Sequence, residues 1–262
     1  MQGLEDKASQ RELRKKLTKS LESAIACLSY LSQKENTMGQ FYVPVMIAKK
    51  SETAPLKSTE INLWASHLSW IAKCSLTRYL LLETHGSLNY ITPPSVEKAK
   101  TKHDHLLNIF IDILKKEPEI TLMEKTPKLC LLVKINQQNR FRICGIPDSI
   151  GLIYRKNLAS QFMLVIEIST SPTVKHIIRG ELLFYIIASY MHYGLPVVGL
   201  LLNREYIHLV IPHLNSAKQL INLLRERDLE KELENAKNIA TKTPWKCNLC
   251  DLKHICPVGA EI

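Results

Sequence analysis

The chain has 262 residues, of which 45% are hydrophobic and 23% are charged. This composition excludes wholesale disorder, and no apolar stretch approaches the roughly 20 residues that a membrane-spanning helix needs. The first 20 residues carry six basic and three acidic side chains, with no apolar segment of a signal peptide behind them. We therefore expect a cytoplasmic protein without a membrane partner. The net charge of +10 favours an anionic partner, of which nucleic acid is the commonest.

The N-terminal part is predicted to be largely helical. Leu13, Leu17, Leu21 and Ile25 recur at helical spacing within a charged amphipathic helix from about Leu4 to Lys34. The next predicted elements are a strand from Phe41 to Ala48, a polar loop from Lys49 to Thr59, and helices from Ser66 to Leu82 and from Ser95 to Lys116. We interpret residues 1–60 as a helical extension of a main domain at 61–262.

The pattern changes near residue 120, where short apolar runs predict strands. In chain order, the predictions are strands at 120–123, 129–136, 140–154 and 161–170, a helix at 173–193, strands at 196–202 and 206–211, a charged helix at 215–240, and a Cys-rich tail from 241. A run of hairpins followed by a crossover helix predicts an α/β fold with a mixed sheet flanked by helices.

The seven cysteines divide into two groups. An odd number of cysteines in a chain without an export signal argues against disulfides. Cys27, Cys130 and Cys144 lie in apolar stretches, so we expect each to pack as a small hydrophobic side chain.

A second group of cysteines has the spacing of a metal site. Cys247, Cys250 and Cys256 form a C-x2-C-x5-C-P run near the end of the chain. An iron–sulfur cluster needs a fourth thiolate from elsewhere, and Cys74 is the remaining cysteine. Zinc is the alternative, because His254 is close enough to complete a Cys3His site.

Two carboxylates occur where a charge is unexpected. Asp148 follows Gly145-Ile-Pro within a predicted strand, and Glu167 ends the very apolar strand that comes next. Each acid alone is explained by pairing with a basic residue at the rim of the sheet. Together on consecutive strands they favour a site for Mg2+ or Mn2+, to which the backbone carbonyl of Ile168 adds a further oxygen ligand.

The order of these motifs resembles that of the PD-(D/E)xK nucleases, and among them the RecB-like nucleases that hold a 4Fe–4S cluster. The chain is most similar to the CRISPR-associated Cas-four exonuclease family, with AddB-type nuclease domains as more distant relatives, over about residues 62–260. The matching segments are Ser66 to Leu80 around Cys74, Lys100 to His105, Gly145 to Asp148, Glu167, Tyr185, and the three C-terminal cysteines.

The resemblance implies a restriction-endonuclease-like sheet, with the N-terminal helical part and the Cys-rich tail joined by the cluster. It makes Cys74 the fourth cluster ligand beside Cys247, Cys250 and Cys256. It makes His103 a ligand of Mg2+ or Mn2+ together with Asp148, Glu167 and Ile168, and His105 is the alternative histidine. The implied function is a DNA exonuclease that processes single-stranded ends, as in CRISPR spacer acquisition, with CRISPR adaptation proteins as further partners.

The chain departs from the family pattern at two positions. The lysine of the E-x-K motif is replaced by Ser169, and Lys175 or Lys134 is a candidate to supply the missing catalytic charge. The glutamine of the Q-x-x-x-Y motif is replaced by Glu181, four residues before Tyr185 on one helix face. If both departures are losses, the chain is a DNA-end-binding or assembly factor that cuts poorly. A zinc-stabilised binding module is the third hypothesis.

Overall fold

A computed structural model describes residues 2–32, 60–65, 94–134, 140–154, 161–169, 178–203 and 206–211. The helices of this part are α1 Gln2–Ser32, α2 Pro94–Leu114 and α3 Leu183–Tyr193, with a π-helical turn at Ile178–Leu182 directly before α3. The strands are β1 Glu60–Trp64, β2 Ile120–Leu122, β3 Leu129–Lys134, β4 Arg140–Gly145, β5 Ser149–Ile153, β6 Phe162–Ile168, β7 Val197–Leu202 and β8 Ile207–Val210. Within these described residues, no helix combines the length and the apolar character needed to cross a membrane.

The strands form two sheets. The larger sheet has the order β2-β5-β6-β7-β8, in which β6 and β7 are parallel and the other neighbours are antiparallel. In the smaller sheet, β4 lies between β1, to which it is parallel, and β3, to which it is antiparallel. The predicted α/β architecture with a mixed sheet and helices is confirmed at this level.

Helices cover both faces of the larger sheet. On one face, Phe162, Leu164 and Ile166 of β6 share a core with residues of α1 and α2. On the other face, Met163 and Val165 share a core with α3 and with the smaller sheet. Because side chains alternate along a strand, Glu167 belongs to the face that carries α3.

The N-terminal helix is part of this packing. The helix predicted from Leu4 to Lys34 is found at Gln2–Ser32. Its buried stripe, which includes Leu13, Leu17 and Leu21, shares one hydrophobic core with α2 and the larger sheet. Burial of each such leucine contributes roughly 1.5–3 kcal/mol, so α1 stabilises the sheet that it covers.

The single strand predicted over 140–154 is wrong. β4 ends at Gly145 and β5 begins at Ser149, and the two strands belong to different sheets. Pro147 has no N–H to donate to a strand ladder, and the chain crosses from the smaller to the larger sheet at this point. Asp148 therefore lies in the crossing between two strands. The strand β1 was not predicted at all.

The prediction that Cys130 and Cys144 pack as small thiols is also wrong. They form a disulfide between β3 and β4. The two residues are direct partners in the antiparallel register, and their Cα atoms are 4.2 Å apart. Such close opposition is typical of the non-hydrogen-bonded pairs of an antiparallel ladder.

Several predictions fall outside the described residues. They are the strand at 41–48, the loop at 49–59, the helices at 66–82 and 215–240, and the tail from 241. The site residues Cys74, Lys175, Cys247, Cys250 and Cys256 also lie there, as do His254 and the side chains of Cys27 and Lys134.

Candidate active site

Four of the predicted site residues meet at the carboxyl end of β6. His103 Nε2 is 3.1 Å from Asp148 Oδ2, and the same oxygen accepts a hydrogen bond from the backbone N–H of Ile168 at 2.7 Å. The backbone N–H of Asp148 in turn faces Glu167 Oε1 at 3.3 Å. Asp148 thus joins α2, the crossing and β6 in one cluster.

The register of the larger sheet explains why the two acids are neighbours. β5 and β6 are antiparallel, with Ser149 opposite Ile166. One step further along both strands places Asp148 beside Glu167. The sequence separation of 19 residues is therefore bridged by the pairing of β5 with β6, as predicted for consecutive strands.

The structure distinguishes between the two histidines of α2. The apolar side of this helix includes Leu106 and Phe110, both buried against the larger sheet. His103 lies one turn before Leu106, on the edge of that side, and is half-buried beside Asp148. His105 is exposed. The geometry favours His103 as the site histidine.

The cluster holds more negative than positive charge in a largely buried setting. Glu167 is only 7% exposed, and this burial raises its pKa well above the ordinary value. The negative charges of Asp148 and Glu181 raise the pKa of Glu167 further. The hydrogen bond to Asp148 raises the pKa of His103 to about 9, although partial burial opposes this effect. His103 therefore stays protonated at neutral pH, and burial favours the neutral form of Glu167.

Tyr185 connects α3 to the crossing. Its hydroxyl donates to the carbonyl oxygen of Ile146 at 3.1 Å and is 3.5 Å from Glu181 Oε1. Burial raises the pKa of Tyr185, and the nearby carboxylates add to the effect, so the phenol stays protonated and keeps its donor. Of the two residues of the helix motif, Tyr185 thus contacts the crossing that holds Asp148, and Glu181 contacts Tyr185.

Gly145 is required by this arrangement. A Cβ atom at Gly145 would be 2.6 Å from the hydroxyl oxygen of Tyr185 and 2.6 Å from the Cβ atom of Ala65. Only a residue without a side chain lets β4 pass this close to the ring of Tyr185. The glycine of the GxPD motif therefore serves the packing that places Asp148.

Position 169, where the motif lysine is missing, holds a buried serine. Ser169 is 4% exposed, and its carbonyl oxygen accepts a hydrogen bond of 2.6 Å from the side-chain amide of Asn203. The sequence reasoning missed Asn203. A polar residue directly after an apolar strand is the signal that marks it, because ligand sites in α/β sheets lie at the carboxyl ends of strands.

The donor atoms of the cluster are of the types that bind a hard divalent cation, but their positions do not form a complete set of ligands. An imidazole, two carboxylates and a backbone carbonyl are ligands for Mg2+ or Mn2+. Among the described residues, however, no three His, Cys, Asp or Glu side chains converge as a ready-made metal site. His103 instead occupies Asp148 Oδ2 through their hydrogen bond. A cation at this oxygen requires His103 to lose its proton or turn away.

Comparison with known proteins gives no further guide to this chain. No protein-family model matches the sequence, and no curated protein matches it either. Function is therefore inferred from the motifs and from the geometry around Asp148.

Proposed function

We propose that this chain is a metal-dependent DNA exonuclease of the iron–sulfur RecB-like type, which processes single-stranded DNA ends. The observation that carries the proposal is the contact of Asp148 with both His103 and the end of β6 that holds Glu167. The net charge of +10 supports an anionic polymer as substrate.

In this proposal the residues around β6 bind and orient the scissile phosphate. Asp148, Glu167, the carbonyl of Ile168 and a deprotonated His103 would hold Mg2+ or Mn2+, which polarises the phosphate and lowers the pKa of a bound water. A bound cation would favour the ionised form of Glu167, because its positive charge would offset the burial of the carboxylate and the repulsion from Asp148. Tyr185 fixes the crossing through the carbonyl of Ile146 and so orients Asp148.

The iron–sulfur part of the proposal depends on cysteine spacing and on the family resemblance. Cys74, Cys247, Cys250 and Cys256 supply four thiolates, which is the number that a 4Fe–4S cluster takes. Anaerobically purified protein is then brown, and Cys250→Ala removes the colour. A colourless protein with one bound zinc, unaffected by Cys74→Ala, would instead favour the zinc-stabilised binding module. The resemblance also makes CRISPR adaptation proteins the proposed partners.

One observation favours a second candidate, a DNA-end-binding or assembly factor of the same fold. Ser169 stands where the motif lysine is expected, and its buried position carries no charge that could stabilise the reacting phosphate. Lys175 is the proposed replacement. If Lys175 does not reach the site, DNA binds and cleavage is slow.

A cleavage assay separates the two candidates. Anaerobic protein is incubated with end-labelled single-stranded DNA and Mn2+, beside Asp148→Asn and Lys175→Met. Asp112→Asn is the matched control, because Asp112 is an exposed acid on the same helix as His103. We expect the wild-type and control proteins to shorten DNA in the presence of metal, and both site variants to lose at least about 100-fold in rate.

The assay can contradict the proposal in two ways. Metal-independent shortening that survives Asp148→Asn would show that another site or a contaminant cuts. If the wild-type protein and all variants bind DNA but none cleaves it, the chain is instead the end-binding factor.

A further inference from the structure

The carboxyl end of β6 is bonded from both sides by side chains that extend the sheet beyond its backbone ladder. On the β5 side, Asp148 Oδ2 accepts the N–H of Ile168 at 2.7 Å. On the β7 side, the amide nitrogen of Asn203 donates to the carbonyl oxygen of Ser169 at 2.6 Å. The Ser169 N–H also donates to the Leu202 carbonyl at 2.8 Å. Ile168 is thus held from the β5 side, and Ser169 is held from the β7 side.

Asn203 is itself firmly placed. Its backbone N–H donates to the carbonyl oxygen of Tyr206 at 3.0 Å, which closes the turn between β7 and β8. Its side chain is withdrawn from water, since Asn203 is 7% exposed and Ser169 is 4% exposed. Removing one partner of a buried hydrogen bond of this kind costs about 1–3 kcal/mol. The bond therefore holds Ser169 against the end of β7.

The planarity of the peptide bond carries this constraint to Ile168. In a trans peptide the C=O of one residue and the N–H of the next point in opposite directions. The Ser169 N–H points to β7, where it meets Leu202. The carbonyl of Ile168 is consequently directed to the other side of the strand, where Asp148 lies.

We propose that Asn203 is a positioning residue of the candidate active site, whose amide holds the Ile168–Ser169 segment so that the Ile168 carbonyl faces Asp148 as a ligand for a divalent cation. The cation rests on the proposed function, whereas the placement of the strand end does not. Asn203 touches neither the substrate nor the cation and acts through Ser169.

Two readouts test this role in the full-length protein. The first is the amide proton resonance of Ile168 in protein labelled with 15N-isoleucine. It is identified as the resonance that disappears in the Ile168→Val variant. The second is the affinity for Mn2+ by calorimetric titration. We compare Asn203→Ala and Asn203→Ser, in which the serine keeps a hydroxyl too short to span the same bond. Ile187→Val is the matched control, because Ile187 is a buried apolar residue of α3 and takes no part in the hydrogen bonds described above.

We expect both Asn203 variants to move the Ile168 amide resonance upfield, since its hydrogen bond to the carboxylate of Asp148 loosens. Mn2+ affinity falls by about tenfold or more, as is typical when a partner of a ligating group is removed. Ile187→Val lowers the unfolding midpoint but leaves both readouts unchanged. A general loss of stability does not produce this pattern.

Opposite results overturn the inference. An Ile168 resonance that stays in place in a folded Asn203 variant, or unchanged Mn2+ affinity together with a lower unfolding midpoint, would reduce Asn203 to a purely structural residue. Failure of the wild-type protein to bind Mn2+ would overturn the proposed function and the cation role. The Ile168 resonance would then still decide whether Asn203 places the strand end.

Discussion

The imidazole of His103 lies with Nε2 3.1 Å from Oδ2 of Asp148, across 45 positions of the chain. The same aspartate oxygen accepts the Ile168 N–H, so one atom connects the helix α2 to the end of β6. In this state a protonated His103 places a positive charge beside Asp148. A divalent cation that binds Asp148 therefore has to displace the proton that His103 shares with this carboxylate.

The titration of His103 tests the contact directly. Because the hydrogen bond to Asp148 is the largest cause of the raised pKa, we expect Asp148→Asn to lower it from about 9 toward the ordinary value. The measurement is a pH titration of the His103 ring by NMR. Asp104→Asn is the matched control, since Asp104 is exposed and its contact with His103 is longer, at 3.4 Å. A shift in the control as large as that in Asp148→Asn would contradict the assignment.

The stability of the metal-free protein should fall as the pH rises from mildly acidic to alkaline. His103 has a pKa of about 9 in the folded protein and about 6.5 when unfolded, so the folded state binds the proton more tightly. The stabilisation is fully present below pH 6.5 and is lost as the pH passes through about 9. Glu167 acts in the same direction, because its raised pKa means that ionising the buried carboxyl disfavours folding.

Urea unfolding at pH 6 and pH 9.5 measures this effect. His103→Gln cannot ionise, so the decline between pH 6.5 and 9 should be smaller in this variant than in the wild type. His105→Gln is the control, since His105 is exposed on the same helix. An equally steep decline in His103→Gln would show that other groups cause it.

Within the described residues, local patterns predicted the helices and most strands well, because they depend on spacing along the chain. The stripe of Leu13, Leu17 and Leu21 placed α1 within two residues at each end. The crossing at Ile146–Asp148 was not predicted, because apolar residues continue on both sides of Pro147 and resemble one long strand. Which sheet a strand joins is decided by tertiary packing.

The site was predictable to the extent that it follows from consecutive strands. Asp148 and Glu167 are brought together by the antiparallel pairing that the sequence pattern indicated. Asn203 and the Cys130–Cys144 pair were not predicted, because both depend on strand register. One residue of slippage would place each partner on the opposite face of its sheet.

Removal of the disulfide should destabilise the protein without abolishing the fold. The cross-link closes a loop of 14 positions, for which the loss of chain entropy in the unfolded state corresponds to about 3 kcal/mol. We expect the double variant Cys130→Ser, Cys144→Ser to lose about 2–4 kcal/mol of unfolding free energy. Denaturant titration with and without a dithiol measures it.

The double variant also serves as the control for effects of the reductant on the wild type. A dithiol should lower the stability of the wild type toward that of the variant and change the variant much less. Because any effect of the dithiol on other cysteines occurs in both proteins, the difference isolates this bond. Equal responses of the two proteins would show that the Cys130–Cys144 pair is not oxidised in solution.

Gly145→Ala should disturb the site through Tyr185. The added methyl group would lie 2.6 Å from both the Tyr185 hydroxyl and the Cβ atom of Ala65, so the ring or the strand must shift. Overpacking of this kind costs about 1–3 kcal/mol, and the displaced hydroxyl loses its bond to Ile146. We expect a lower unfolding midpoint and, because the crossing moves, weaker Mn2+ binding.

Gly151→Ala is the matched control for this substitution. Gly151 also lies in a strand, but the nearest atom to its added methyl group is the end of the flexible Leu122 side chain, at 3.1 Å. The leucine yields at a smaller cost, and the crossing is untouched. Adding Tyr185→Phe to Gly145→Ala should recover only part of the lost stability, since the clashes with the Cε1 ring carbon at 2.8 Å and with Ala65 remain. Full recovery would assign the whole effect to the Tyr185 hydroxyl, and no recovery would assign it to the contacts with the ring carbon and Ala65.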